Sequence, residues 1–229
     1  MLDEKTLRKI TAIAEHLCGY EDDPWQGLEE MPSELSRFVE TFASGASKRV
    51  ALFYDCDYVL KWNRVSEETG NYDFDEAGEE ARLYNEAVKC GLGEIFPETF
   101  ILMTNTNGVC FTIQKRIDFC YNDYKYLENE RTNCGKYQLL GCLLEKVFKE
   151  VRKEELDNAF DTWGKYSDRS VCTDWVALVV YFFGMQFFLN LMNFCGKNAI
   201  NDLHCSNIGF LDNKPIILDF CGYHRRDNY

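Results

Sequence analysis

Apolar residues at Leu7, Ile10, Ile13, Ala14 and Leu17 recur at helical spacing and predict an amphipathic helix near the start of the chain. A loop follows, with Pro24, Pro32 and the acidic cluster Glu21-Asp22-Asp23. Leu35, Phe38, Val39 and Phe42 fit either a short helix or the start of a strand. The period then changes. Arg49–Tyr54 and Tyr58–Trp62 are β-rich runs on either side of Asp55-Cys56-Asp57, a turn composition, and predict a hairpin. Beyond the acidic stretch from 66 to 80, Ala81, Leu83, Tyr84, Ala87 and Val88 predict a helix stopped by Gly91 and Gly93. Two more strands are predicted over Phe100–Met103 and Val109–Ile117. After Asp118 the pattern is helical as far as Gly196, and the chain closes with a short hairpin, Ile208–Phe210 and Pro215–Asp219, turning at Asp212-Asn213.

Strands with one helix among them, then mostly helices, predict an α+β chain in two lobes with a seam near 114–118. Residues 1–36 read as a helical extension, 37–116 as a β-rich lobe and 117–229 as a helical one. A nucleotide-sized cleft between two such lobes is a natural ligand site. From Trp175 to Cys195 the chain carries no charge and is long enough to span a bilayer. Gln186, Asn190 and Asn193 nevertheless form one polar stripe at helical spacing, and no basic flank accompanies them. The segment therefore reads as one buried central helix, with Asp174 suited to its positive end.

Composition narrows the classes. Hydrophobic residues at 46% and aromatics at 15% supply a core and argue against disorder. A net charge of −13 repels a phosphate backbone, so no nucleic-acid partner is expected. The 11 cysteines are odd in number and contain no C-x-x-C pair, which disfavours both zinc and a disulfide framework. Reduced thiols, the absence of an apolar signal region in MLDEKTLRKI and the absence of a membrane partner point to a cytoplasmic location.

The densest chemistry lies in Asn201-Asp202-Leu203-His204-Cys205-Ser206-Asn207-Ile208, followed by Ile217-Leu218-Asp219-Phe220. Phosphoryl transfer from ATP needs a carboxylate to orient the attacking hydroxyl and hard oxygen ligands to hold Mg²⁺. Asp202 would be the base, with Asn207 and Asp219 as metal ligands brought together by the hairpin. D-L-H-x-x-N resembles the catalytic loop of the protein-kinase superfamily, in particular its bacterial and phage members, and Asp219-Phe220-Cys221 looks like D-F-G with the glycine displaced to Gly222.

Upstream landmarks occur in the matching order. Val59-Leu60-Lys61 ends a strand as V-A-I-K does, and Glu80 stands early in the following helix, where the resemblance places the lysine's carboxylate partner. Glu79 and Glu86 are alternatives; with Glu80, Leu83 and Tyr84 face the core. Gly45, Ala46 and Ser47, ahead of Val50, occupy the place of the glycine-rich loop and are small enough for amides to approach phosphate. Val50 would pack on the adenine, and Gln114-Lys115-Arg116 would be the hinge. Taken singly, Lys61 and Glu80 are ordinary solvated charges and Asp202 and Asn207 ordinary turn residues; the ordered set carries the argument. Of the cysteines, all but Cys205 read as core or incidental residues.

The resemblance implies a bilobal kinase-like fold with an N-lobe at 37–116 and a minimal C-lobe at 117–229. It also implies ATP and Mg²⁺ as cofactors and catalytic roles for Asp202, Lys61, Asn207 and His204. His204 replaces the lysine that approaches the transferred phosphate. Ile200 and Asn201 replace the H-R ahead of the catalytic Asp, and the sequence ends ten residues after Asp219 without A-P-E. The truncated C-lobe would then lack switching by activation-loop phosphorylation, and the insert at 119–171 would complete it as a helical pair or present a substrate surface. The expected activity is that of a minimal serine/threonine-type protein kinase acting on a protein acceptor. Alternatives are a small-molecule kinase of the aminoglycoside or choline type, favoured by an acidic cleft, and a pseudokinase acting as a nucleotide-binding module.

Overall fold

The computed structural model describes residues 2–20, 24–44, 48–63, 76–105, 110–117, 119–120, 135–166, 173–200, 203 and 207–220. The chain is α+β and divides into two compact units, 1–85 with 98–116, and 86–97 with 117–229.

The first unit is built on an antiparallel sheet of β1 (Val39–Ser44), β2 (Lys48–Phe53), β3 (Tyr58–Asn63), β4 (Thr99–Thr104) and β5 (Cys110–Lys115), in the order β1-β2-β3-β5-β4. Register sorts its side chains by face. Ala51 opposes Leu60, and Leu60 opposes Ile113, so these three share one side of the sheet. Helix α1 (Glu4–Leu17) covers that side, its first turn capped by Asp3, which accepts from the Thr6 N–H at 3.0 Å. Ile10, Ile13, Ala14 and Leu17 are fully buried in one cluster with Ala51, Phe53, Leu60, Trp62, Phe111 and Ile113. The segment expected to be a helical extension thus shares the core of the sheet. Trp62 stacks on Phe111 with centroids 5.7 Å apart and meets Phe42 edge-on. The loop expected around Pro24 and Pro32 holds two short helices, α2 (Pro24–Glu29) and α3 (Ser33–Ser36). His16 of α1 is half-buried with its ring Nε2 2.8 Å from the Gly27 carbonyl.

The opposite side of the sheet carries Val50 opposite Lys61, Lys61 opposite Thr112 and Val59 opposite Gln114. Helix α4 (Glu76–Lys89) meets this side through its first turns and ends before Gly91, whose φ of 72° requires the left-handed region. Because both faces are covered, β3 is buried at every position.

In the second unit a 3₁₀ turn (Gly93–Ile95) precedes β6 (Phe119–Cys120), α5 (Gly135–Glu150), α6 (Lys153–Tyr166), α7 (Thr173–Phe183), α8 (Met185–Lys197), β7 (Ile208–Leu211) and β8 (Lys214–Ile217). The strands form a small sheet in the order β6-β7-β8. β6 corrects the expectation of continuous helix after Asp118: Phe119 pairs with Phe210, but two residues leave no periodic trace in a sequence. The helices of the insert belong to this core, α5 packing on α7, and α6 on both α7 and α8. Leu144 and Val147 of α5 are buried, whereas Phe148 is exposed.

The apolar stretch expected as one helix is two. Gly184, at φ 85°, ends α7, and the chain turns through 119° into α8. No L-residue with a side chain adopts that backbone readily. α7 is buried from Trp175 through Val180 and has Asp174 in its first turn. α8 is amphipathic, with Gln186, Asn190 and Asn193 exposed as the stripe predicted and Phe188, Leu191 and Met192 buried. Among the described residues no single helix is long and apolar enough to cross a membrane.

α8 closes with the 6→1 bond of a Schellman motif, the Ile200 N–H donating to the Cys195 carbonyl at 2.9 Å, just after the last helical bond from the Asn198 N–H to the Phe194 carbonyl at 3.1 Å. The residue between them, Ala199, sits at φ 53°, where a β-carbon is strained. Ala199→Gly should therefore stabilise the protein by about 1 kcal/mol, read as a higher denaturation midpoint at unchanged slope. A fall in the midpoint would contradict this account. Among the described residues Cys56, Cys90 and Cys195 are free thiols; burial pushes the Cys195 thiol up to about 12, as suits a core residue.

Candidate functional site

Three buried ionic side chains gather between the sheet and α4. Lys61, on β3, donates from Nζ to Glu80 Oε2 at 2.7 Å, and Lys48, at the start of β2, donates to Glu80 Oε1 at 2.8 Å. Glu80 is 0% exposed, Lys48 5% and Lys61 7%. A carboxylate so completely removed from water must be paired, and here each oxygen has its own ammonium. Of the three glutamates considered, Glu80 is the partner of Lys61; Glu79 pairs instead with Arg82. The reason is helical phase. Ala77, Glu80, Ala81, Leu83 and Ala87 are buried, so Glu80 lies on the face that meets the sheet.

A polar shell orients the cluster. Lys61 donates a second bond to Gln114 Oε1 at 3.1 Å, and the Gln114 amide donates to Thr99 Oγ1 at 3.0 Å. Asn63 Oδ1 accepts from the Ala77 N–H at 2.9 Å, so a strand side chain caps the first turn of α4 and fixes it to the sheet. Glu76 reaches Lys48 at 3.7 Å with its side chain 22% exposed. Lys61 has committed two of its three donors within this shell.

Gln114 was expected at a hinge. It is in β5, with its side chain in the ionic cluster, and the hydrogen-bonded backbone continues through Lys115, which donates to the Glu98 carbonyl, and Arg116, which donates to that of Asp57. Val50 is half-buried opposite Lys61. Lys48 was not anticipated from sequence. The signal was present, since position 48 lies two residues before Val50 and so shares its face with Lys61, but the first residue of a strand reads as surface. Asn63 and Thr99 gave no signal of their own.

The second group of expected residues lies on the closing hairpin. β7 pairs with β8 through Ile208 and Ile217, and the Leu218 N–H donates to the Asn207 carbonyl at 2.8 Å. Asn207 and Asp219 therefore flank the open end of one hairpin. The turn at the other end is tight, with Asp212 and Asn213 at φ 51° and 62°. Phe220 is fully buried, its ring 4.8 Å from that of Phe96, and Trp175 Nε1 donates to the Gly209 carbonyl at 3.2 Å. The hairpin is thus anchored in the core from its open end, while the turn at Asp212 and Asn213 is exposed. Asp219 and Asn207 supply hard oxygen donors, which suit Mg²⁺ better than a softer ion. Among the described residues no group of three or more His, Cys, Asp or Glu surrounds a common point.

Ile200 and Leu203, either side of the expected catalytic position, are each 1% exposed. Asp202, His204, Cys205, Gly45, Ala46 and Ser47 lie outside the described residues. No protein-family model matches the chain, and no curated protein matches it.

Proposed function

We propose that the protein is an ATP- and Mg²⁺-dependent phosphotransferase with a bilobal kinase-like fold, most closely a minimal serine/threonine-type protein kinase. The observation that carries this reading is the buried ion pair between Lys61 on a strand and Glu80 on the next helix, 19 residues apart. The order of motifs and the phase of the helix point to Glu80 from sequence, and a chance match of solvated charges gives no reason for the two side chains to meet in the interior. The hairpin that flanks its open end with Asn207 and Asp219 supports the same reading.

Each residue has a task in this scheme. Lys61, held by Glu80 and Gln114, points its remaining N–H at the α- and β-phosphates. Val50, on the same face, borders the adenine. Asn207 and Asp219 would hold Mg²⁺, which when bound neutralises charge on the phosphates. Asp202 accepts the proton of the acceptor hydroxyl as it attacks, and His204 donates to the transferred phosphate. The −13 net charge makes such local cations necessary for holding a polyanion.

Thermal unfolding of the protein with and without Mg²⁺ and ATP tests the reading. At a hundredfold excess over Kd the nucleotide should add about 3 kcal/mol, roughly 5–10 °C in Tm. Absence of any shift at millimolar Mg·ATP would remove the nucleotide site from consideration. Radiolabelled ATP offered with cell lysate, generic peptides and aminoglycosides then identifies the acceptor class. Label on protein supports the kinase, label on small molecules alone the aminoglycoside-type alternative. Stabilisation without transfer supports the pseudokinase.

A further inference from the structure

We propose that Lys48 is a positioning residue of the phosphate site, holding Glu80 so that the ammonium of Lys61 is free to turn to the phosphates of a nucleoside triphosphate. The inference rests on the phosphotransferase reading above and concerns a residue to which that reading gives no role.

Glu80 is fully buried, with Lys61 on one oxygen and Lys48 on the other, at 2.7 and 2.8 Å. Were Lys61 its sole cation, any movement of Lys61 toward a ligand would strand an unpaired carboxylate in the interior, a heavily penalised state. Lys48 removes that penalty, because Glu80 keeps one short ion pair whichever way Lys61 turns. Glu80 itself cannot follow Lys61, since the Asn63 cap on the Ala77 N–H fixes the helix one turn earlier. Lys48 also stays in place, as Glu76 stands 3.7 Å from its ammonium and adds a second negative charge. Lys48 thus acts on the ligand only through Glu80 and Lys61.

Equilibrium binding of Mg·ATP and of adenosine to the wild type, Lys48→Met, Lys48→Arg and Lys61→Met tests this. Lys48→Met should weaken Mg·ATP about 10-fold and leave adenosine unchanged, because a neutral ligand does not draw on Lys61. Lys48→Arg should restore Mg·ATP to within about 3-fold, since the guanidinium keeps a cation on Glu80. The double variant should bind no more weakly than Lys61→Met alone.

Equal loss of ATP and adenosine in Lys48→Met would mean a structural role only, and additive losses in the double variant would mean direct phosphate contact; either overturns the proposal. So does wild-type affinity in Lys48→Met when Lys61→Met is weakened, and that result leaves the phosphotransferase reading standing. A wild type that binds neither ligand overturns both. Should Lys48→Met fail to fold, NMR of the wild-type lysine ammonium groups during Mg·ATP titration decides instead. A large shift at Lys61 with Lys48 retained on Glu80 supports the proposal, and an unmoved Lys61 sinks it.

Discussion

Replacing Glu80 with glutamine is expected to cost about 3–5 kcal/mol of folding stability, the range for removing one partner from a buried ion pair. The substitution keeps shape and volume, so the loss reports charge. Two ammonium groups, each less than a tenth exposed, would be left without their shared carboxylate. Folding free energies are commonly 5–15 kcal/mol, so this one substitution would remove a large part of the margin. Lys61→Met should cost clearly less, about 1–2 kcal/mol, because Glu80 would still hold Lys48. The ranking is therefore asymmetric, with the single carboxylate worth more than either cation. Urea denaturation of the three proteins reads it directly. A loss below about 1 kcal/mol in Glu80→Gln, or a greater loss in Lys61→Met, would mean that water reaches the cluster and screens it.

How much of this could be read from the sequence depended on how local the cause was. The hairpin at Asp55-Cys56-Asp57 and the one at Asp212-Asn213 were legible because turn chemistry and alternating strands lie within a few residues of each other. Helix α1 was legible from its spacing, but its place in the sheet's core was not, since the contacts that put Ile10 and Ile13 against Leu60 and Ile113 are set by tertiary packing. The pair Lys61–Glu80 was legible because a known order of motifs supplied the long-range pairing that periodicity cannot. Lys48 shows where that support ends. It lies in the segment that resembles the glycine-rich loop but matches none of its residues, and only the register of β2 on β3 places it beside Lys61's carboxylate. The bend at Gly184 was hidden for a different reason: an apolar run has no polar face to mark a change of direction, and one glycine inside a helical pattern is commonly tolerated. Gln114 was legible as the end of a strand, but the place of its amide in the shell around Lys61 was not, because that contact is set by the sheet's register and by α4.

If the protein is the phosphotransferase proposed above, Asp219→Asn and Lys61→Met should each lower phosphoryl transfer at least 100-fold, the scale on which removal of one charge-stabilising group acts in a preorganised site. The two losses have different origins and should differ in form. Asp219 lies two residues past the end of β8, half-buried, next to a phenylalanine fully packed against Phe96. Its amide replacement keeps the hairpin and the anchor but lowers the negative charge available to a divalent cation. The Asp219→Asn defect should therefore shrink as Mg²⁺ is raised, whereas the Lys61→Met defect should not, because no concentration of metal replaces an ammonium held by Glu80 and Gln114. Glu79→Gln is the matched control. It alters the neighbouring carboxylate, which pairs with Arg82 rather than with the cluster, and should leave transfer at the wild-type rate. Initial rates against Mg²⁺ concentration for the four proteins separate these expectations. Equal rates in Asp219→Asn and wild type at every Mg²⁺ concentration would remove Asp219 from the metal site, and a Glu79→Gln defect as deep as that of Lys61→Met would show that any charge change on α4 is damaging. The paired outcome, metal-rescued at one position and metal-indifferent at the other, is the one that ties the ionic cluster and the hairpin to a single reaction.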